Sequence, residues 1–191
     1  MLREALQHCR GCDLYKHATQ AVAGEGPRTS PIVFIGEQPG DEEDRQGLPF
    51  VGPAGHLLDR ALQEAGIDRS VVFVTNAVKH FKFEERGKRR IHKKPSVSES
   101  RACQPWLEAE LSVIRPKIIV CLGATAAQSV FGSNYRLTKE RGTFVTHAWA
   151  PQATSTVHPW AILRAPDEQR HAEYQRLVED LKKVKAALAG L

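Results

Sequence analysis

The chain has 191 residues, 41% of them hydrophobic, which suits one soluble domain spanning residues 1–191 with a sizeable core. Met1-Leu2-Arg3-Glu4 lacks the apolar stretch of a signal peptide, and no window approaches the ~18 uninterrupted apolar residues of a membrane span, so the expectation is a cytoplasmic protein with no membrane partner. The formal charge is +5, yet eight cations and two anions fall between Lys79 and Lys94 and leave the remainder slightly acidic, so the basicity belongs to one segment.

Residues 2 to 8 suit a short helix that delivers Cys9 and Cys12, a C-x-x-C pair whose thiolates can turn toward one metal centre. Four cysteines in a reducing compartment argue for metal binding or burial over disulfides, and the spacing alone leaves zinc, redox and iron–sulfur roles open. Gly24-Glu25-Gly26-Pro27 then breaks the chain. Ile32 to Ile35 reads as a buried strand that discharges into Gly36-Glu37-Gln38-Pro39-Gly40, and in open α/β sheets ligands bind at such strand ends. An acidic stretch from Asp41 to Asp44 leads to Leu48-Pro49-Phe50-Val51-Gly52. Leu57, Leu58, Ala61, Leu62 and Ala65 recur at helical spacing, and Gly66 stands where a left-handed cap is wanted.

Val71 to Thr75 is a second strand, running out into Asn76-Ala77-Val78-Lys79-His80. Phe81 to Pro95 is polar, basic and unperiodic, and too long for a routine connection, so it is expected to be a functional loop. Ser96-Val97-Ser98-Glu99 fits a capping box, with Pro105 expected to kink the helix or mark a late start. Ile118 to Leu122 is a third buried strand, followed by Gly123 and a helix over Ala124 to Val130. Thr143–Thr146 and Thr154–Val157 are weaker strands, the second emptying into His158-Pro159-Trp160. Leu177, Val178, Leu181, Val184 and Leu188 mark a closing amphipathic helix. Alternating strand and helix predicts a three-layer α/β/α sandwich with a mainly parallel central sheet. Glu37, Asn76 and His158 then share one sheet edge and converge on one pocket.

Gly36-Glu37-Gln38-Pro39-Gly40, Pro49-Phe50-Val51-Gly52, Thr75-Asn76-Ala77-Val78-Lys79 and Val157-His158-Pro159, in that order, resemble the motifs of the uracil-DNA glycosylases. The N-terminal C-x-x-C is similar to that of the iron–sulfur branch. Lys88-Arg89-Arg90-Ile91-His92 resembles the loop of the UdgX group, whose members become covalently attached to DNA after excising uracil. The resemblance implies a 4Fe-4S cluster as cofactor, uracil-containing DNA as partner, preferentially single-stranded, free uracil as product, and a monomer. It implies that Phe50 stacks on a flipped base, that Asn76 bonds its Watson–Crick edge, and that Gln38 and Asp41 join the substrate site. By the same resemblance Glu43 crowds out the thymine methyl group, Glu37 is the catalytic carboxylate, and His158 stabilises charge on departing uracil.

His92, read by position alone, suits a solvated loop histidine or a phosphate contact; the resemblance makes it the nucleophile that attacks the sugar after uracil leaves. Lys88, Arg89, Arg90, Lys93 and Lys94 are expected to neutralise phosphates, helped by the interleaved Phe81, Phe83 and Ile91. The related glycosylases place a third cysteine just after the asparagine-bearing strand, where this chain has His80, so the implied ligand set is Cys9, Cys12, His80 and Cys103. Cys121, inside an apolar strand, is the rival ligand and better suited to a core side chain. Trp160 replaces the small hydroxyl residue that the family carries after His-Pro. A conventional multiple-turnover glycosylase and a non-catalytic binder of uracil-containing DNA are the alternatives.

Overall fold

Five strands make one sheet in the computed structural model, which describes residues 1–191. They are β1 (Ile32–Gly36), β2 (Val72–Asn76), β5 (Ile118–Leu122), β6 (Val145–His147) and β7 (Ala150–Thr156), ordered β2-β1-β5-β7-β6. β2, β1, β5 and β7 run parallel, and β6 closes the edge antiparallel to β7.

Side chains alternate across each strand, so the sheet sorts its apolar residues onto two faces. Ile32, Phe34, Val74, Val120 and Leu122 pack against α3 (Pro53–Ala65), α7 (Pro159–Leu163) and α8 (Asp167–Ala189). Val33, Ile35, Phe73, Ile119 and Cys121 pack against α4 (Val97–Ile114) and α5 (Ala124–Phe131). Each such side chain, fully removed from water, contributes about 1.5–3 kcal/mol before chain entropy is counted. The three-layer α/β/α arrangement with a mainly parallel sheet is thus as expected. No helix is long and apolar enough to cross a membrane.

Several local expectations change. The opening helix is α1 (Leu2–Gln7), and the acidic stretch is itself a helix, α2 (Asp41–Gln46), whose four carboxylates favour the positive N-terminal end. The Ser96 capping box forms, with the Glu99 N–H donating to Ser96 Oγ at 3.1 Å and the Ser96 N–H to Glu99 Oε2 at 2.7 Å. α4 nevertheless runs from Val97 straight through Pro105. Pro105 lies on the exposed face, where water can satisfy the carbonyl that it strips of a partner.

The largest correction concerns residues 81–95, expected to be an irregular loop. They contain an antiparallel hairpin of β3 (Phe83–Arg86) and β4 (Arg89–His92), pairing Phe83 with His92 and Arg86 with Arg89. Gly87, at φ 61°, makes the two-residue turn. Its strands carry charges on exposed faces, so apolar periodicity could not reveal them. Near the sheet edge, β7 is longer and β6 later than the expected 154–157 and 143–146, and α6 (Leu137–Glu140) precedes them.

Candidate active site

The carboxyl ends of the parallel strands gather Glu37, Asn76 and His158, with Gly36 directly beside Asn76 in the sheet register. Packing here leaves no room for a larger residue at position 36. A Cβ on Gly36 would stand 2.4 Å from Asn76 Oδ1 and 2.7 Å from Phe50 Cζ. Phe50 occupies a left-handed conformation, φ 56°, a strained state that persists only where the surroundings over-determine it. Part of that constraint is Gly55, where an added Cβ would strike the Phe50 carbonyl oxygen. The Phe50 ring stacks toward the His158 ring, with centroids 6.2 Å apart and planes 24° apart.

His158 caps α7, its Nδ1 accepting the Trp160 backbone N–H at 3.0 Å. A backbone N–H can only donate, so the neutral ring must carry its proton on Nε2. Burial pushes the His158 pKa down to about 4, the charge of Glu37 opposing and that of His92 adding to the shift. The imidazole is therefore neutral near pH 7 and presents an N–H donor. Trp160 itself is 41% exposed; its backbone, rather than its indole, serves His158.

His92 sits at the end of β4 with Nε2 3.0 Å from Glu37 Oε1. Burial raises the Glu37 carboxyl, but hydrogen bonds from His92 and Thr125 and the nearby His92 and His158 rings outweigh it, so the net shift is downward. Glu37 is thus held as a carboxylate between two histidines. Thr125, from the first turn of α5, carried no sequence signal beyond its place after a strand and Gly123.

The hairpin is fastened over this edge by side chains expected elsewhere. The Gln38 amide donates to the Lys82 and Lys93 carbonyls at 3.2 and 3.0 Å and accepts the Lys82 N–H at 2.9 Å, so it grips the chain where it enters and leaves the hairpin. Arg90 points inward, donating to Asp41 Oδ1 at 2.5 Å and Asp44 Oδ2 at 2.6 Å, and lies over the Phe81 and Phe83 rings. Arg90 and Asp41 are accordingly committed to each other. Lys88, Arg89, Lys93 and Lys94 remain on the exposed surface. Glu43 is buried, its two carboxylate oxygens accepting the Gly40 and Gly52 N–H groups at 3.1 and 2.8 Å, and so ties the Glu37 loop to the Phe50 loop.

Cys9, Cys12 and Cys103 lie near one another, close enough that Cys9 and Cys12 each raise the Cys103 pKa, although burial is the main cause of its rise to about 11. The Trp106 indole N–H donates to Cys9 Sγ at 3.1 Å and the Lys79 backbone N–H to Cys103 Sγ at 3.2 Å. Such donors favour thiolates and cluster sulfurs. No three His, Cys, Asp or Glu side chains gather tightly enough to grip a single ion. His80 is buried, which lowers its pKa, with Asp44 as its opposing charge. Cys121 is fully buried in the β1–α5 core, as expected of a small apolar side chain.

The model of the uracil DNA glycosylase superfamily matches residues 23–182. The chain belongs to that superfamily. It is 38% identical over 188 residues to a type-4 uracil-DNA glycosylase of Thermotoga maritima, covering 97% of this chain and 92% of that one. It is 36% identical over 194 residues to a type-4 uracil-DNA glycosylase of Sulfurisphaera tokodaii, covering 96% and 82% respectively. The superfamily match spans every strand of the sheet and the hairpin. A groove of about 750 Å³ lined by Arg115, Lys117, His147 and Trp149 lies by the start of β5 and β7, at the opposite sheet edge.

Proposed function

We propose that this protein is a uracil-DNA glycosylase which, after excising uracil, is captured on the abasic sugar through His92. The observation that carries this reading is the 3.0 Å pairing of His92 with Glu37 at the strand ends that also hold Asn76 and His158. The type-4 relatives support the glycosylase activity; covalent capture rests on His92 and its hairpin.

Uracil swings out of the strand, Phe50 stacks on it and Asn76 bonds its edge. The glycosidic bond breaks with its electron pair going to uracil, whose developing negative charge meets the His158 Nε2–H; the Glu37 carboxylate stabilises the cationic sugar. The free lone pair of a neutral His92 then forms a bond to C1′, and the proton on the other ring nitrogen passes to Glu37, leaving a neutral alkylated imidazole. Where a conventional glycosylase admits water, this hairpin supplies an imidazole. Exposed Lys88, Arg89, Lys93 and Lys94 neutralise phosphates, and Glu43 narrows the pocket against the thymine methyl group. Single-stranded DNA is the preferred substrate, since an unpaired uracil lowers the cost of flipping by a few kcal/mol.

The cysteine site suits a 4Fe-4S cluster, since Cys9, Cys12 and Cys103 lie near one another and two of their sulfurs already accept N–H donors. Cys9, Cys12 and Cys103 would hold it, with neutral His80 as the fourth ligand. A cluster bound there would crosslink the N-terminal segment, α4 and the turn after Asn76.

The test mixes the protein with a labelled uracil-containing single-stranded oligonucleotide, then boils it in detergent and runs a denaturing gel beside His92→Ser. A shifted band in the wild type and free abasic DNA in the variant are expected. Abasic DNA without a shifted band in the wild type would leave a conventional glycosylase, and unaltered DNA would leave only a binder.

A further inference from the structure

Lys79 counts among the cations of the basic segment, yet its side chain has no solvent exposure. Its ammonium has three donors, and all three are used: on Thr75 Oγ1 at 2.6 Å, the Asn76 carbonyl at 2.7 Å and Glu110 Oε2 at 2.7 Å. Glu110, 6% exposed, also accepts the Thr75 hydroxyl at 2.6 Å and the Gly24 N–H at 2.7 Å. A buried pair of this kind is seldom more stabilising than apolar residues of the same shape, so its presence invites a geometric explanation.

That explanation lies in what the pair holds. The turn after β2 is bound to the Glu37 loop by Ala77 N–H to the Gly36 carbonyl and Val78 N–H to the Glu37 carbonyl, both at 2.9 Å. Lys79 clamps the same turn from beneath, at the carbonyl of Asn76 itself. Uracil and cytosine present opposite donor and acceptor patterns along the edge an amide reads, so the orientation of Asn76 decides which base is accepted. We propose that Lys79 is a positioning residue for Asn76, its buried ammonium fixing the peptide that aims the amide and so setting preference for uracil over cytosine. This rests on the glycosylase reading.

The neutral pair Lys79→Met/Glu110→Gln removes the ammonium while the amide introduced at position 110 can still reach Thr75 and Gly24; Glu110→Gln alone keeps the ammonium on Asn76. Both are measured for inhibition by free uracil, the maximal single-turnover excision rate and its half-saturating concentration on a uracil-containing strand, excision from a cytosine-containing strand, melting temperature, and visible absorbance to monitor the cysteine site. Glu110→Gln is expected to melt earlier yet hold its uracil inhibition constant within about twofold. The double variant is expected to lose about tenfold in uracil inhibition and to raise the half-saturating concentration by a similar factor, the effect of roughly one charge-assisted hydrogen bond, with absorbance retained. Wild-type inhibition in the double variant, or equal loss in both variants, would overturn the proposal. Should the double variant not fold, Thr75→Val removes a different partner of the ammonium; it is expected to keep uracil inhibition, and its loss there would overturn the assignment. Wild-type protein that neither releases uracil nor is inhibited by it would instead overturn the glycosylase reading.

Discussion

His158 and His92 are the same side chain in two supports. His158 stands on the end of a core strand, its tautomer fixed by a backbone N–H and its charge suppressed by burial. His92 is 38% exposed on a two-stranded hairpin that makes no ladder contact with the main sheet. The hairpin is held by polar clamps: Gln38 on its backbone, Arg90 on Asp41 and Asp44, and Lys82 on Glu99 at 2.8 Å. The residues proposed for base recognition and departure thus stand on strands of the hydrophobic core, while the proposed capture group rides on an appendage that can be loosened separately.

The strongest test of that division is His158→Ala. Loss of the preorganised donor should slow uracil release about 10²- to 10³-fold in single-turnover assays, and the covalent band should fall in step because capture follows excision. Next is Arg90→Ala, which leaves the fully buried Asp44 carboxylate without its cation. A loss of roughly 3 kcal/mol by chemical denaturation is expected, and the covalent yield should drop about tenfold more than the excision rate. Equal losses would show that the hairpin and the pocket act as one unit.

Acid should report on His158 through stability. The folded-state pKa of His158 lies near 4, below that of an unfolded histidine near 6.5, so between those values the unfolded chain binds a proton that the folded chain refuses. Stability from this group is complete above about pH 6.5 and declines as pH falls toward 4, and urea midpoints for His158→Asn should show a flatter acid limb. The smallest effect should come from Cys121→Ser, which lies outside the cysteine site and should keep its iron and visible absorbance; Cys103→Ser should lose both. The reverse pattern would move the ligand assignment to Cys121.

Some of this was legible in the residues because it depends on local rules. Apolar runs ending in Gly36, Asn76 and Gly123 marked parallel strands and their functional edge, and Ser96 with Glu99 marked a helix start. The resemblance named the pocket residues from the same short motifs. The hairpin stayed hidden because its alternation is charged against charged, and α2 because an acidic helix has no apolar stripe.

The sequence by itself determined the sheet and its loaded edge, since strand length, side-chain alternation and turn residues are short-range properties. Only the tertiary structure decided which charges are free. Lys79 and Arg90 look like their basic neighbours in the chain, yet burial against Glu110 and against Asp41 and Asp44 turns one into a clamp beneath Asn76 and the other into an anchor for His92. Those carboxylates lie 31, 49 and 46 positions away along the chain, and the desolvation of such a pair depends on what packs around it rather than on its sequence neighbours.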